Sequence, residues 1–145
     1  MKTNYMNSKL KIFVMLSFVI LFSFSANIVF AAIDPIPGVD IVVKKNPGGI
    51  VFNGQTGRDG KFACKLEEGN YELKLSYDQI KGILSGTDKN YASNPDGYIF
   101  TLLLGQMPNV KAPSKVLINR GAIPISILVA KGGGTLNGTL TYTKR

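Results

Sequence analysis

The sequence predicts an all-β fold, a Greek-key β-sandwich of about seven or eight strands, after an N-terminal signal helix. Three observations carry this expectation. Apolar residues recur at every second position through much of residues 39–143, the spacing of half-buried strands. These runs are short and are separated by Gly- and Asn-rich breaks, which is how a sandwich of small strands is punctuated. The residues ahead of them have a different character, with a basic start and an apolar middle.

That first segment reads as an export signal. Lys2, Lys9 and Lys11 precede an apolar stretch from Ile12, and Val29-Phe30-Ala31 ends it with small residues at the two positions a signal peptidase reads. Asp34-Pro35-Ile36-Pro37 then stops any helix. The rival reading is an uncleaved membrane anchor over Ile12–Ala32. Ser17, Ser23, Ser25 and Asn27 dilute that stretch, and no basic cluster follows it, so cleavage is favoured. The expected division is a signal peptide over 1–31 and one domain over 32–145. The location implied is secreted, periplasmic or cell-surface, in a bacterium. The single Cys64 lies too far downstream to carry a lipid and has no partner for an internal disulfide.

The strands follow in order. Val39, Ile41 and Val43 share a face. Ile50 and Phe52 alternate with Val51 and Asn53, and Phe62, Cys64 and Leu66 alternate with Lys61, Lys65 and Glu67. Tyr71, Leu73, Leu75 and Tyr77 form the clearest alternation. Tyr98–Leu104 reads as a continuous apolar run around Thr101, which predicts a strand buried on both faces. Lys115–Asn119 is a short candidate. Ile123, Ile125, Ile127 and Val129 make another, and Pro124 predicts an edge or a bulge there. Leu136, Leu140 and Tyr142 oppose Thr135, Thr139, Thr141 and Thr143. The breaks at Asn46–Gly49, Gly57–Gly60, Glu68–Asn70 and Gly132–Gly134 have turn chemistry. One helix is conceivable over Asp78–Leu84, capped by Asp78 and weakened by Gly82.

Within Val39–Tyr77 stands Thr56-Gly57-Arg58-Asp59-Gly60-Lys61-Phe62, followed by Gly69-Asn70-Tyr71 and an alternating strand. This layout resembles the carboxypeptidase regulatory-like domains, relatives of the Cna-B and transthyretin-like (prealbumin-like) sandwiches. The resemblance covers about the first third of the domain. It implies structural roles for Asp59, Gly60, Phe62, Gly69 and Tyr71: a tight Asp-Gly turn, a ring entering the core, a sharp second turn, and a buried Tyr whose hydroxyl finds a backbone partner. It also implies an accessory, spacer or binding module. Some Cna-B domains form a Lys–Asn isopeptide promoted by a buried acid. The matching position here is Leu75, so no crosslink is expected.

The chemistry is sparse. The chain has no His, which removes Ser-His and Cys-His pairs and imidazole metal sites. Cys64 alternates with lysines on a core-facing strand and reads as a buried small hydrophobe. Glu67 and Glu68 precede a turn and read as solvated. Three of the 17 basic residues lie in the signal segment, which leaves 14 against nine acidic ones, a charge of +5. They are scattered, without the interleaved aromatics of a nucleic-acid binder, so no nucleic acid is expected. Asp88, Asn90, Asn94 and Asp96 are oxygen ligands that suit Ca²⁺. Ala92 and Gly97, however, break the EF-hand spacing, so the stretch reads as a loop without metal. No cofactor is expected. With Tyr91, that loop is the first choice for a contact surface, because loops on rigid sandwiches carry recognition. The reading is a non-enzymatic accessory or binding module of the cell envelope whose partner is another envelope protein or a glycan. The alternative is a surface subunit that self-associates through edge strands, and an enzyme is the third.

Overall fold

A computed structural model describes residues 32–120 and 124–145. The expected signal segment, Met1–Ala31, and Ile123 of the expected strand lie outside the described residues. Strands dominate. In chain order they are β1 (Ile33–Pro35), β2 (Asp40–Lys45), β3 (Ile50–Gln55), β4 (Lys61–Leu66), β5 (Gly69–Lys74), β6 (Tyr98–Leu104), β7 (Val110–Lys111), β8 (Lys115–Ile118), β9 (Ile125–Val129) and β10 (Gly134–Lys144). Helix α1 (Tyr77–Thr87) and a 3-10 turn (Pro95–Gly97) lie between β5 and β6. The strands beyond the expected seven or eight include β1 and β7. Neither is long enough to display a period.

Every pairing is antiparallel, in two sheets. In sheet I, β10 pairs with β6, and β6 with β8. On its other side, the first half of β10 takes β4 and the second half takes β1. Sheet II runs β3-β2-β5-β9-β7. One core joins them: Ile41, Val43 and Leu73 from sheet II, Leu102, Leu136 and Leu140 from sheet I, and Ile80 and Leu84 from α1. Burying each of these aliphatics contributes about 1.5–3 kcal/mol.

The alternation in β2, β4 and β9 turns the expected residues inward. In three places the structure departs from the expectation. The run Tyr71–Tyr77 is not one strand: β5 ends at Lys74 and Tyr77 opens the helix. Ser76, not Asp78, is the cap, its Oγ accepting from the Gln79 N–H at 3.2 Å. Asp78 sits in the first turn, where a negative charge suits the positive end of the helix. The helix forms through Gly82 and Gly86 because Ile80 and Leu84 anchor it in the core. A Cβ at either glycine meets nothing within 4 Å. Gly82→Ala and Gly86→Ala are therefore each expected to stabilise the protein by about 0.5–1 kcal/mol in urea titrations.

β6 is not buried on both faces. Phe100, Leu102 and Leu104 point inward, whereas Leu103 is exposed. Sheet I has a single packed face, so the apolar run does not imply a central layer. Pro124 marks neither an edge nor a bulge: it precedes β9, which pairs with β5 on one side and β7 on the other.

Candidate functional site

The Asp-Gly turn is built by local bonds. The Asp59 Oδ1 accepts from the Lys61 N–H at 3.0 Å, and Gly57 and Lys61 close the loop through a 2.9 Å backbone bond. Gly60 has φ +74°, and Phe62 enters the core. Gly69 takes φ +152°. The Tyr71 ring is buried and its hydroxyl donates to the Glu67 carbonyl at 2.7 Å. Thr56 had no assigned role in the sequence, yet it is buried. Its Oγ1 donates to the Ile36 carbonyl at 2.7 Å and accepts from the Val39 N–H at 3.0 Å, fastening the β1–β2 connection to the end of β3. A hydroxyl at a strand end carries no local mark of such a long-range role.

The stretch 85–97 is not the open loop that the sequence implies. Ser85–Thr87 are the last residues of α1, and the rest folds back as turns and the 3-10 segment. Tyr91 is only 3% exposed. Its ring stands edge-on to Tyr98 at 5.1 Å and near Phe100 at 6.3 Å, so it belongs to the core and is closed to a partner. Asp88 is also engaged. It pairs with Lys144 at 3.0 Å, accepts the Tyr98 hydroxyl at 3.0 Å and accepts the Asn90 N–H at 2.9 Å. Of the expected contact residues, Asn90, Asn94 and Asp96 remain exposed. The segment clamps the end of β10.

This clamp is expected to be acid-sensitive. The Asn90 N–H first, and then Lys144, hold the Asp88 carboxyl below the ordinary carboxylate range. A carboxyl depressed on folding stabilises the protein above its unfolded pKa, and that contribution is lost as pH falls through the folded pKa. Asp88→Asn should therefore flatten the acid limb of a Tm-versus-pH curve between neutral pH and about pH 3. An unchanged acid limb would show that the carboxylate does no such work.

A concavity of about 850 Å³ lies between β2, the end of β5 and the start of α1. Asp40 is fixed at its edge, receiving Gln55 Nε2 at 2.8 Å and Gln79 Nε2 at 3.0 Å, while its own N–H donates to Gln79 Oε1 at 2.9 Å. Tyr77 forms an aromatic wall, packed on Phe100 at 5.8 Å. The Lys81 ammonium stands 5.4 Å from the Tyr77 ring centre. Lys74 and Arg120 add to the cationic lining, which also includes Asp40 and Asp78. Among the described residues the one ion pair is Lys144–Asp88, so these three cations are not engaged in ion pairs with the described carboxylates. Sequence reasoning missed this cleft because Arg120 reaches it only through the fold.

Cys64 is buried, and desolvation pushes its thiol up to about 11. At neutral pH it holds its proton and is a poor nucleophile. Native protein is expected to react with a thiol reagent at least an order of magnitude more slowly than urea-unfolded protein, as followed by mass spectrometry. Equal rates would contradict the inward register of β4. Among the described residues, no group of three or more His, Cys, Asp or Glu is placed to hold a metal, and no helix is long and apolar enough to cross a membrane.

The class that the fold defines is a mostly β protein with two antiparallel sheets and one helix packed into their shared core. Comparison with protein families, with curated proteins and with solved structures finds no match to this chain.

Proposed function

We propose that this chain is an exported, non-enzymatic accessory or binding module of a bacterial cell envelope, built as a Greek-key, prealbumin-like sandwich of the carboxypeptidase regulatory-like kind. The observation that carries the reading is the cleft beside α1, where Tyr77, Lys74, Lys81 and Arg120 converge on one concavity. An aromatic wall with cations is suited to a ligand that offers an apolar or sugar face together with an anionic group. That fits a segment of another envelope protein or a glycan. The Asp59-Gly60 turn and the buried Tyr71 support the family resemblance. The test is recovery of a partner from envelope extract by tagged protein. Parent protein is expected to retain a partner that Lys81→Glu/Arg120→Glu loses, with the variant's melting temperature unchanged. Equal recovery by both would remove the cleft from the reading.

A second reading, self-association through an edge strand, has its own observation. β3 is one of the two outer strands of sheet II, carries no charged residue, and leaves Ile50 62% and Val51 49% exposed. Such an edge is a template for pairing with a second copy. Sedimentation of the parent beside Val51→Lys separates the two readings. A parent dimer lost in the variant favours the subunit role.

A further inference from the structure

The surplus of positive charge is not spread evenly over the two sheets. On the outer face of sheet II, Asp40 and Glu72 accompany the lysines of β2, β5 and β7. On the outer face of sheet I, the outward strand positions hold Lys61, Lys65 and Lys115 and no carboxylate. Asp34 of β1 is opposite Tyr142, on the other face of the sheet from Thr141 and Thr143, and two acids stand at the ends of β4. Asp59, in the turn before it, already accepts the Lys61 N–H, and Glu67 follows it.

The register places these groups. Lys61 of β4, Thr139 of β10, Leu103 of β6 and Lys115 of β8 form one row across the sheet. Three strand spacings separate its two lysines, roughly 14 Å. Lys65 lies four residues along β4 from Lys61, also roughly 14 Å. The next row is small: Ala63 and Gly105 flank Asn137, with the Gly105 N–H bonded to the Asn137 carbonyl at 3.0 Å. The missing side chains leave a dish of about 650 Å³ on the sheet, lined by Asn137, Thr139, Lys61 and Leu103 and, from the turn before β4, by Asp59. Beyond it, half-buried Thr101 continues the hydroxyls towards exposed Leu117, while Thr141 between it and β1 is buried.

We infer that the outer face of sheet I binds an extended anionic polyhydroxyl polymer, its acid groups meeting Lys61, Lys65 and Lys115 and its hydroxyls meeting Thr139 and Asn137. The charge complementarity selects a polyanion, and the same three lysines repel a second copy presenting this face. The hydroxyl and amide floor suits sugar or polyol hydroxyls. The exposed aliphatics Leu103 and Leu117 stand among threonines and lysines, a poor arrangement for insertion into lipid. This surface is on the other sheet from β2 and β5, which frame the cleft, and neither reading depends on the other.

The test is titration of the purified protein at about 50 mM salt with polygalacturonate for carboxylate, poly(glycerol phosphate) for phosphate, neutral dextran, and phosphatidylglycerol vesicles. Binding to one or both polyanions and not to dextran is expected, and which polyanion binds identifies the acid group. Lys61→Glu/Lys115→Glu should weaken binding roughly tenfold or more. Lys44→Glu/Lys111→Glu, the same charge change on sheet II, and the cleft variant Lys81→Glu/Arg120→Glu should each weaken it less than about threefold. Thr139→Val, which leaves charge unaltered, should weaken it about threefold to tenfold. Lys65→Glu provides an independent arm if the double variant fails to fold. Binding to vesicles alone, equal losses from both sheets, or no binding to either polyanion would overturn the inference.

Discussion

Gly60→Val is expected to lower unfolding free energy by about 3–5 kcal/mol, the sum of backbone strain and overpacking. Two independent causes converge. The residue sits at φ +74°, where a β-branched side chain is strongly disfavoured. There is also no room. A Cβ would collide with the Leu140 carbonyl oxygen and would meet Pro35 Cβ at 3.1 Å and the Ile36 nitrogen at 3.2 Å. That carbonyl is already engaged, accepting the Ile36 N–H at 2.9 Å, while the Gly60 carbonyl accepts the Leu140 N–H at 2.8 Å. The turn is thus the joint between β10 and the start of the domain. Such a loss is a large fraction of the 5–15 kcal/mol typical of one domain. Gly86→Val is the contrast. It lies in α1 with nothing within 4 Å of its added Cβ, and its effect should stay within about 0.5 kcal/mol. Denaturant midpoints of both variants beside the parent check the pair. A neutral Gly60→Val with an unfolded Gly86→Val would refute both the turn and the register after it.

Gly138→Val should cost about 2–4 kcal/mol for a different reason. Gly138 is not at positive φ. It is buried in the middle of β10, directly opposite Phe62 on β4, and the Phe62 ring covers it. A Cβ there would collide with the ring and would stand 3.2 Å from Leu104 Cδ2. An aromatic ring laid over a strand glycine restores the packing that the glycine lacks. The cost should therefore be coupled to Phe62. Phe62→Leu in the Gly138→Val background should destabilise less than the two single changes added together, with a coupling of about 1–3 kcal/mol in a double-mutant cycle. Additive effects would show that the valine is accommodated elsewhere.

Part of the candidate chemistry was legible locally and part was not. That Phe62, Cys64 and Leu66 share a face follows from period 2 alone, because adjacent strand residues point to opposite sides. The inertness expected of Cys64 rests on the same period. Tyr77 shows where that reasoning fails. It extends the alternation of Tyr71, Leu73 and Leu75, but Ser76 caps a helix in front of Gln79 and the chain leaves the sheet. Tyr91 fails differently. An aromatic among Asn, Ser and Asp looks exposed, and only the arrival of Tyr98 and Phe100 from β6 buries it. Likewise Asp88 resembles a free loop carboxylate until Lys144, at the other end of the domain, closes on it.

By itself the sequence determined that this protein is mostly β, which faces of β2, β4, β5, β9 and β10 turn inward, and that a turn at Asp59-Gly60 needs glycine. These are properties of neighbouring residues, set by backbone sterics and by the two-residue repeat of a strand. Only the tertiary structure decided which strands meet. It put β1 and β4 end to end along one side of β10, joined Arg120 to Tyr77 and Lys81 in one cleft, and aligned Lys61 with Lys115 across sheet I. Those juxtapositions come from long-range pairing, which balances buried area and hydrogen bonds against chain entropy over the whole domain, and no short window of residues contains that balance.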